Sequence, residues 1–118
     1  MTGPLAQVAV ERHGAVAVAR LAGELDLSNA TSVEDQVTSG LDGATAVAVD
    51  LAGLSYLDSA GLALLARLAG RLAGLAGALR LVVPRDAVVS RTVSISGLSA
   101  AIPVDETVEA ALAALDRT

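Results

Sequence analysis

Short apolar runs alternate with longer segments of helical periodicity along the chain. The first two runs, Leu5–Val10 and Ala15–Leu21, are separated by Glu11–Gly14. Because Gly14 can adopt a positive φ, this pattern predicts a β-hairpin. Later runs of small and β-branched residues predict three further strands, at Ala44–Leu51, Leu79–Val83 and Ala101–Val104.

Four segments have the period of amphipathic helices. They are Asn29–Gly40, Ser59–Gly77, Asp86–Ile95 and Glu106–Leu115. In the second segment, leucines spaced three and four residues apart form one apolar face from Leu65 to Leu79. The stretch Ala52–Leu57 is predicted to be a connection between a strand and this helix.

Several of these helices begin near a residue that can accept hydrogen bonds from free backbone N–H groups. The first helix has Ser28 or Thr31 as its candidate cap, and Thr31 with Glu34 has the spacing of a capping box. The other candidate caps are Ser59 for the second helix and Asp105 or Thr107 for the last.

The resulting element order, ββαβαβαβα, predicts an α/β fold. Strands that alternate with helices after an opening hairpin indicate one small, mostly parallel mixed sheet with right-handed crossovers. The chain has 118 residues and no linker or repeat, which fits a single domain over residues 1–118 with a core at about 5–116. The pattern does not decide which face of the sheet each helix covers.

Composition and charge narrow the function classes. The formal net charge is −5, and the eight basic residues are all arginine. This balance argues against nucleic-acid binding, which needs a basic face. Aromatic residues make up 1% of the chain, so stacking platforms for a nucleotide or flavin are nearly absent, and cysteine is missing altogether, which excludes disulfides and thiolate zinc sites.

Membrane insertion is not expected. The most apolar stretch, Ala60–Val83, contains Arg67, Arg71 and Arg80, whereas a spanning helix needs about 20 residues with few charges. The segment Met1–Ala9 lacks the basic start and long apolar run of a signal peptide. We therefore expect a cytoplasmic protein.

Enzyme chemistry is weakly represented. The only histidine, His13, falls in the predicted hairpin turn, so a serine triad has no candidate base and a small hydrolase is disfavoured. The paired acids lie at helix starts, where the helix dipole favours them, and the glycines spaced along the second helix indicate close packing. These are Glu34 with Asp35, Asp105 with Glu106, and Gly70, Gly74 and Gly77. We expect no catalytic activity, metal or cofactor.

One constellation remains, Asp58–Leu62, which follows a buried strand and opens the most hydrophobic helix. Ser59 there is open to two interpretations. It is a helix cap, or it is an exposed hydroxyl on which a phosphate would meet the positive end of the helix dipole. Arg67 and Arg71, one turn apart on another face, either face solvent or bind an acidic partner.

The segment Val49–Leu62 closely resembles the central signature of STAS-domain proteins, and most of all that of bacterial anti-sigma factor antagonists. Leu21–Asp26 is similar to the family's loop after the second strand, and Ser96–Leu98 is similar to its Ser-Gly-Leu before the last strand. The resemblance covers residues 5 to 116 and implies a single STAS domain.

The resemblance implies a protein switch. Such antagonists bind an anti-sigma factor, which is also an ATP-dependent serine kinase, and release it when their serine is phosphorylated. A serine phosphatase of the PP2C type resets them. Ser59 matches that serine, and Ala60 stands where many relatives carry a second hydroxyl. The residues expected at the partner surface are Glu24, Asp26, Asp58, Ser59, Ala60, Gly61 and Leu62.

Other interpretations stay open at this point. A non-regulatory STAS accessory subunit of a lipid-transport ATPase would use the same helix for constitutive binding, with Ser59 only as a cap. A ligand-sensing STAS domain is disfavoured by the lack of aromatic residues. The apolar hairpin is a candidate homodimer contact.

Overall fold

The computed structural model describes residues 6–116. Its strands are β1 (Ala6–His13), β2 (Val16–Leu25), β3 (Ala46–Leu57), β4 (Ala78–Val82) and β5 (Val104–Asp105). Its helices are α1 (Ala30–Leu41), α2 (Ser59–Gly74), α3 (Ser90–Ser96) and α4 (Val108–Asp116), with a short 3₁₀ helix at Leu98–Ala100. Leu5, expected at the start of the first strand, lies outside the described residues.

The five strands form one sheet in the order β1-β2-β3-β4-β5. The β1–β2 pair is antiparallel, and the other three pairs are parallel. Gly14 lies in the hairpin turn with φ of +65°, which confirms the reason for expecting a turn there. The mixed, mostly parallel α/β fold predicted from the element order is therefore confirmed.

The helices cover the two faces of the sheet unequally. Helices α1, α2 and α3 pack on one face, where Val37, Leu65 and Val93 join the larger core. Helix α4 packs on the other face, where Ala111 and Leu115 meet the strand side chains Val16, Val18, Ala48 and Val82. The question that the sequence pattern left open thus has a definite answer, with three helices on one face and one on the other.

The second face also carries a row of ion pairs beyond α4. The Arg20 guanidinium lies 2.9 Å from a Glu11 carboxylate oxygen and 2.8 Å from one of Asp50, which is buried. Hydrogen bonds from Arg20 and His13 lower the pKa of Glu11 below its usual value. His13 is exposed, ends β1 and lies 3.3 Å from Glu11.

Strand β3 is longer than expected, because Ala52–Leu57 continues the strand instead of forming a connection. Two irregularities in its pairing with β2, after Arg20 and after Gly23, disturb the alternation that would mark a strand. Gly53 allows β3 to approach β2 closely, since a Cβ there would lie 3.0 Å from the Leu21 carbonyl oxygen.

Other boundaries shift as well. Strand β2 continues past Leu21 to Leu25, so most of Leu21–Asp26, which the resemblance placed in a loop, belongs to the strand. Helix α2 ends at Gly74 instead of Gly77, which leaves Leu75 exposed, and Leu79 belongs to β4. Helix α3 begins only at Ser90, and the last strand begins at Val104.

The ends of the helices partly follow the sequence. The Thr107 hydroxyl accepts a hydrogen bond from the Ala110 N–H (3.1 Å), as expected for the cap of α4. The capping box of Thr31 and Glu34 is wrong, because α1 starts after Asn29 and Glu34 pairs with Arg67 at 2.8 Å. Across residues 6–116, no helix has the length and apolar character needed to cross a membrane.

Candidate functional site at the start of helix α2

The carboxyl ends of β2 and β3 meet at one edge of the sheet. The two strands are parallel, and Leu25 at the end of β2 pairs with Leu57 at the end of β3. The next residues along the chain, Asp26 and Asp58, therefore begin two neighbouring loops. In parallel α/β sheets this edge is where binding sites form, and the candidate site lies here.

Asp58 is the N-cap of α2 and also links the two loops. One of its oxygens, Oδ1, accepts hydrogen bonds from the N–H groups of Ala60 (2.9 Å) and Gly61 (3.2 Å). The other, Oδ2, accepts one from the Leu27 N–H (3.2 Å) on the β2–α1 loop. The expectation that Ser59 caps this helix is wrong, since Asp58 already takes the N–H groups that a cap satisfies.

Ser59 is the first residue of α2, and it is exposed. Within residues 6–116, its hydroxyl makes no hydrogen bond to the backbone or to another side chain. The hydroxyl therefore has no capping role to lose and is reachable from outside. A group attached to it would project from the start of the helix.

Gly61 belongs to the packing below the site and not to its exposed surface. It is buried, and a Cβ at this position would lie 2.5 Å from Leu57 Cδ1 and 2.9 Å from Leu25 Cγ. The absence of a side chain lets α2 approach the ends of β2 and β3 closely. Ala60 and Leu62, on either side, are partly buried against the same core.

The β2–α1 loop is held in a compact turn by its own polar groups. The Ser28 N–H and hydroxyl both donate to Asp26 Oδ1, at 2.9 and 2.5 Å. Asn29 accepts from the Asp26 N–H at 3.0 Å and donates to the Glu24 carbonyl at 2.7 Å. Neither Ser28 nor Thr31 caps α1; Asn29 holds the N-cap position, with its side chain turned to the loop.

Between the two loops lies an open depression of about 690 Å³. It brings together all three acids expected at the partner surface, Glu24, Asp26 and Asp58, while Ser59 directly follows the last of them. Four further lining residues were not predicted from the sequence: Leu27, Ser28, Ser55 and Tyr56.

Two signals in the sequence pointed to these missed residues. Leu27 stands between Asp26 and Ser28, two residues after the leucine that ends β2, where the apolar run gives way to polar residues. Tyr56 is the only aromatic residue of the chain and stands between a serine and the leucine that ends β3. Ser55, whose hydroxyl donates to the Gly23 carbonyl at 3.2 Å, gave no comparable signal.

The chemistry of the site is that of an acidic, partly apolar surface beside a free hydroxyl. Among the described residues, no three His, Asp or Glu side chains are grouped as a metal site requires.

For Arg67 and Arg71, the sequence left open whether they face solvent or bind an acidic partner, and the structure gives them contacts within the protein. Both lie within 4 Å of the Glu34 carboxylate on α1, and Arg71 donates to the Thr38 hydroxyl at 3.0 Å.

The chain forms a small α/β domain, defined by its sheet order and by the division of helices between the two faces of the sheet. A serine lies exposed at the start of α2 in this domain. A family model described as the STAS domain matches residues 7–111. The chain therefore belongs to the STAS domain family, as the resemblance of Val49–Leu62 predicted.

Two of the similar proteins are named as anti-sigma factor antagonists. The anti-sigma-F factor antagonist RsfA of Mycobacterium tuberculosis is 32% identical over 108 residues, which cover 89% of this chain and 84% of that protein. The crystal structure of an anti-sigma factor antagonist from Mycobacterium paratuberculosis has a TM-score of 0.84 at 28% identity, covering 98% and 99% of the two chains. The phosphorylated form of the Bacillus cell fate determinant SpoIIAA has a TM-score of 0.66 at 26% identity, covering 94% and 98%.

Proposed function

We propose that this protein is an anti-sigma factor antagonist whose binding is switched by phosphorylation of Ser59. The observation that carries the proposal is the Ser59 hydroxyl, which is exposed at the start of α2 and makes no hydrogen bond among the described residues. Proteins named as anti-sigma factor antagonists are similar to this chain over most of both lengths, which supports the antagonist role. The protein is not itself an enzyme in this proposal.

In the unphosphorylated state, the protein binds its anti-sigma factor through the start of α2 and the neighbouring β2–α1 loop, and a sigma factor is freed. The anti-sigma factor is also the ATP-dependent serine kinase that modifies Ser59. A serine phosphatase of the PP2C type restores the hydroxyl. That a phosphorylated form of the similar protein SpoIIAA has been solved supports this cycle.

The hydrogen bonds of Asp58 explain why the added charge would act on the partner. Its carboxylate already occupies the N–H groups of Ala60 and Gly61, with which a helix N-terminus would otherwise stabilise a phosphate. A phosphate on Ser59 would bring a charge of about −1.5 to −2. That charge would stand next to Asp58 and near the acidic depression, with little local compensation.

The magnitude is sufficient for a switch without refolding. A partner that covers a phosphate on Ser59 beside acidic and apolar side chains removes its hydration, and an unpaired charge taken out of water costs several kcal/mol. Weakening a complex a hundredfold needs only about 2.8 kcal/mol. Desolvation of the phosphate, added to the loss of a hydroxyl contact, therefore suffices to release a partner.

The test is a set of titrations by isothermal calorimetry. Each anti-sigma factor encoded in the same genome is purified and titrated with the wild-type protein, Ser59→Ala and Ser59→Asp. We expect at least one factor to bind the wild type and Ser59→Ala with similar affinity, and Ser59→Asp about a hundredfold more weakly.

Ser94→Asp is the matched control, because Ser94 is an exposed serine on α3. It should bind like the wild type. Failure of every factor to bind would reject the antagonist role. Equal binding of all the Ser59 variants would reject the switch and would leave a constitutive antagonist.

A further inference from the structure

Two large apolar side chains are exposed in the acidic depression beside Ser59. Leu27 is 82% exposed and Tyr56 is 50% exposed, although most of the leucines of this chain are buried. Both line the same depression, together with Glu24 and Asp26. Exposed apolar side chains grouped next to a functional group are typical of a surface that another protein covers.

Leu27 is exposed on a backbone that is held in place. Its N–H donates to Asp58 Oδ2 at 3.2 Å, and the residues on either side are fixed by the hydrogen bond from the Ser28 hydroxyl to Asp26. Tyr56 lies in β3, in register with Glu24 of β2. Neither side chain has to be ordered by extensive backbone rearrangement on binding, which lowers the entropic cost of docking.

The charge of the depression is only partly compensated by the protein itself. Asp58 uses both carboxylate oxygens, and Asp26 uses Oδ1. Over residues 6–116, the Glu24 carboxylate makes no hydrogen bond or ion pair, and no arginine lines the depression. A partner that covers this surface has to bring a positive charge to it.

We infer that Leu27 and Tyr56 are the apolar anchors with which the unphosphorylated protein docks on its anti-sigma factor. The complementary surface of the partner is an apolar pocket flanked by a basic side chain that faces Glu24. This inference rests on the proposed function and deepens it. The anchors supply most of the contact energy, as a few buried apolar and aromatic residues do in interfaces generally, and the charges set orientation and sensitivity to phosphorylation.

The experiment measures affinity for the anti-sigma factor that binds the wild-type protein in the titrations above. Leu27→Ala and Tyr56→Ala should each weaken binding about tenfold or more. Leu27→Ala keeps the backbone N–H that donates to Asp58, so the loop stays intact. Leu75→Ala is the matched control, because Leu75 is 61% exposed at the opposite end of α2, and it should bind within about twofold of the wild type.

A second arm tests the charge. Glu24→Gln should bind more weakly than the wild type at low salt, and the difference should shrink as sodium chloride is raised. Glu109→Gln, at an exposed acid of α4, should behave like the wild type at every salt concentration.

The outcomes separate this inference from the proposed function. If the wild type binds and Leu27→Ala and Tyr56→Ala bind equally well, the anchors are wrong while the antagonist role stands. If Glu24→Gln binds like the wild type at all salt concentrations, the basic partner surface is wrong. If no factor binds the wild type, both the inference and the proposed function are rejected.

Discussion

Two glycines of α2 have opposite surroundings, and the contrast shows what a single methyl group costs at the site. A Cβ on Gly61 would lie inside contact distance of Leu57 and Leu25, which are both buried. A Cβ on Gly70, nine residues further along the same helix, would meet nothing within 4 Å. Gly61 is therefore needed for packing, and Gly70 is not.

We predict that Gly61→Ala lowers the free energy of unfolding by about 1–3 kcal/mol, because the added methyl forces buried leucines to move. Gly70→Ala should raise it by about 0.5–1 kcal/mol, since alanine is the better helix former. Urea denaturation followed by circular dichroism measures both. Equal effects of the two substitutions would show that α2 does not approach the sheet as closely as described.

Single residues also show where a sequence stops being sufficient. The motif Asp58-Ser59 pointed to the start of α2, but the capping rules admit either residue. In the structure Asp58 is the cap, and its second carboxylate oxygen also accepts a hydrogen bond from the N–H of Leu27, 31 residues away. Such a contact is set by the tertiary fold, so the local sequence left Ser59 open to both interpretations, a helix cap and an exposed hydroxyl.

At the scale of elements, the start of α2 and the loop after β2 form one unit joined through Asp58. Its carboxylate accepts hydrogen bonds from three backbone N–H groups that belong to two segments. The cap therefore stabilises the helix, positions Ser59 and holds Leu27 in one structure. Removal of the Asp58 side chain should therefore loosen both the start of α2 and the loop after β2, on the two sides of the depression.

We predict that Asp58→Ala lowers the free energy of unfolding by about 1–3 kcal/mol, since it removes an N-cap and a charge-assisted hydrogen bond. Asp58→Asn should cost less, because its amide oxygen can still accept from Ala60 and Gly61. Hydrogen exchange at the amides of Ala60, Gly61 and Leu27 is the measurement. Faster exchange at all three is expected for the alanine variant, and unchanged exchange at Leu27 would contradict the link between the loops.

The elements were predicted from sequence wherever one period dominates. Leucines at helical spacing identified α2, and Gly14 with its flanking apolar runs identified the hairpin. The second half of β3 was missed, because irregular pairing with β2 gives Ala52–Leu57 a burial pattern that does not alternate. The local sequence of such a distorted strand looks like that of a connection, and only its pairing with the neighbouring strand identifies it as a strand.

At the scale of the whole molecule, the sheet separates two hydrophobic cores that have different roles. The larger core joins α1, α2 and α3 to the sheet and supports the start of α2. The smaller core holds α4 on the other face. Leu115 lies near the amino ends of the parallel strands, beside Val16, Ala46 and Ala78, at the edge opposite to Ser59.

We therefore predict that Leu115→Ala lowers the free energy of unfolding by about 2–5 kcal/mol, as expected for a buried leucine, and leaves the affinity for the anti-sigma factor unchanged. Leu75→Ala, at an exposed position, should change stability by no more than about 0.5 kcal/mol. Urea denaturation and calorimetric titration of the folded variants check the two parts. Weaker binding by folded Leu115→Ala would show that the two faces are coupled.

The overall architecture followed from the sequence because element order constrains topology strongly. An opening hairpin and alternating strands and helices allow few arrangements once crossovers are right-handed. Which face α4 covers could not be predicted, since Val16 and Val18 on one face of β2 are as apolar as Ala17 and Ala19 on the other. Such a strand carries no signal for its orientation.

In the proposed switch, the Ser59 hydroxyl is the group that the partner modifies. The most direct measurement is the intact mass of the protein after incubation with ATP and the anti-sigma factor that binds it, followed by peptide mapping. We predict that the wild type gains one phosphate, located on Ser59, and that Ser59→Ala gains none. A wild-type protein that stays unmodified, or a phosphate found on another residue, would contradict the account.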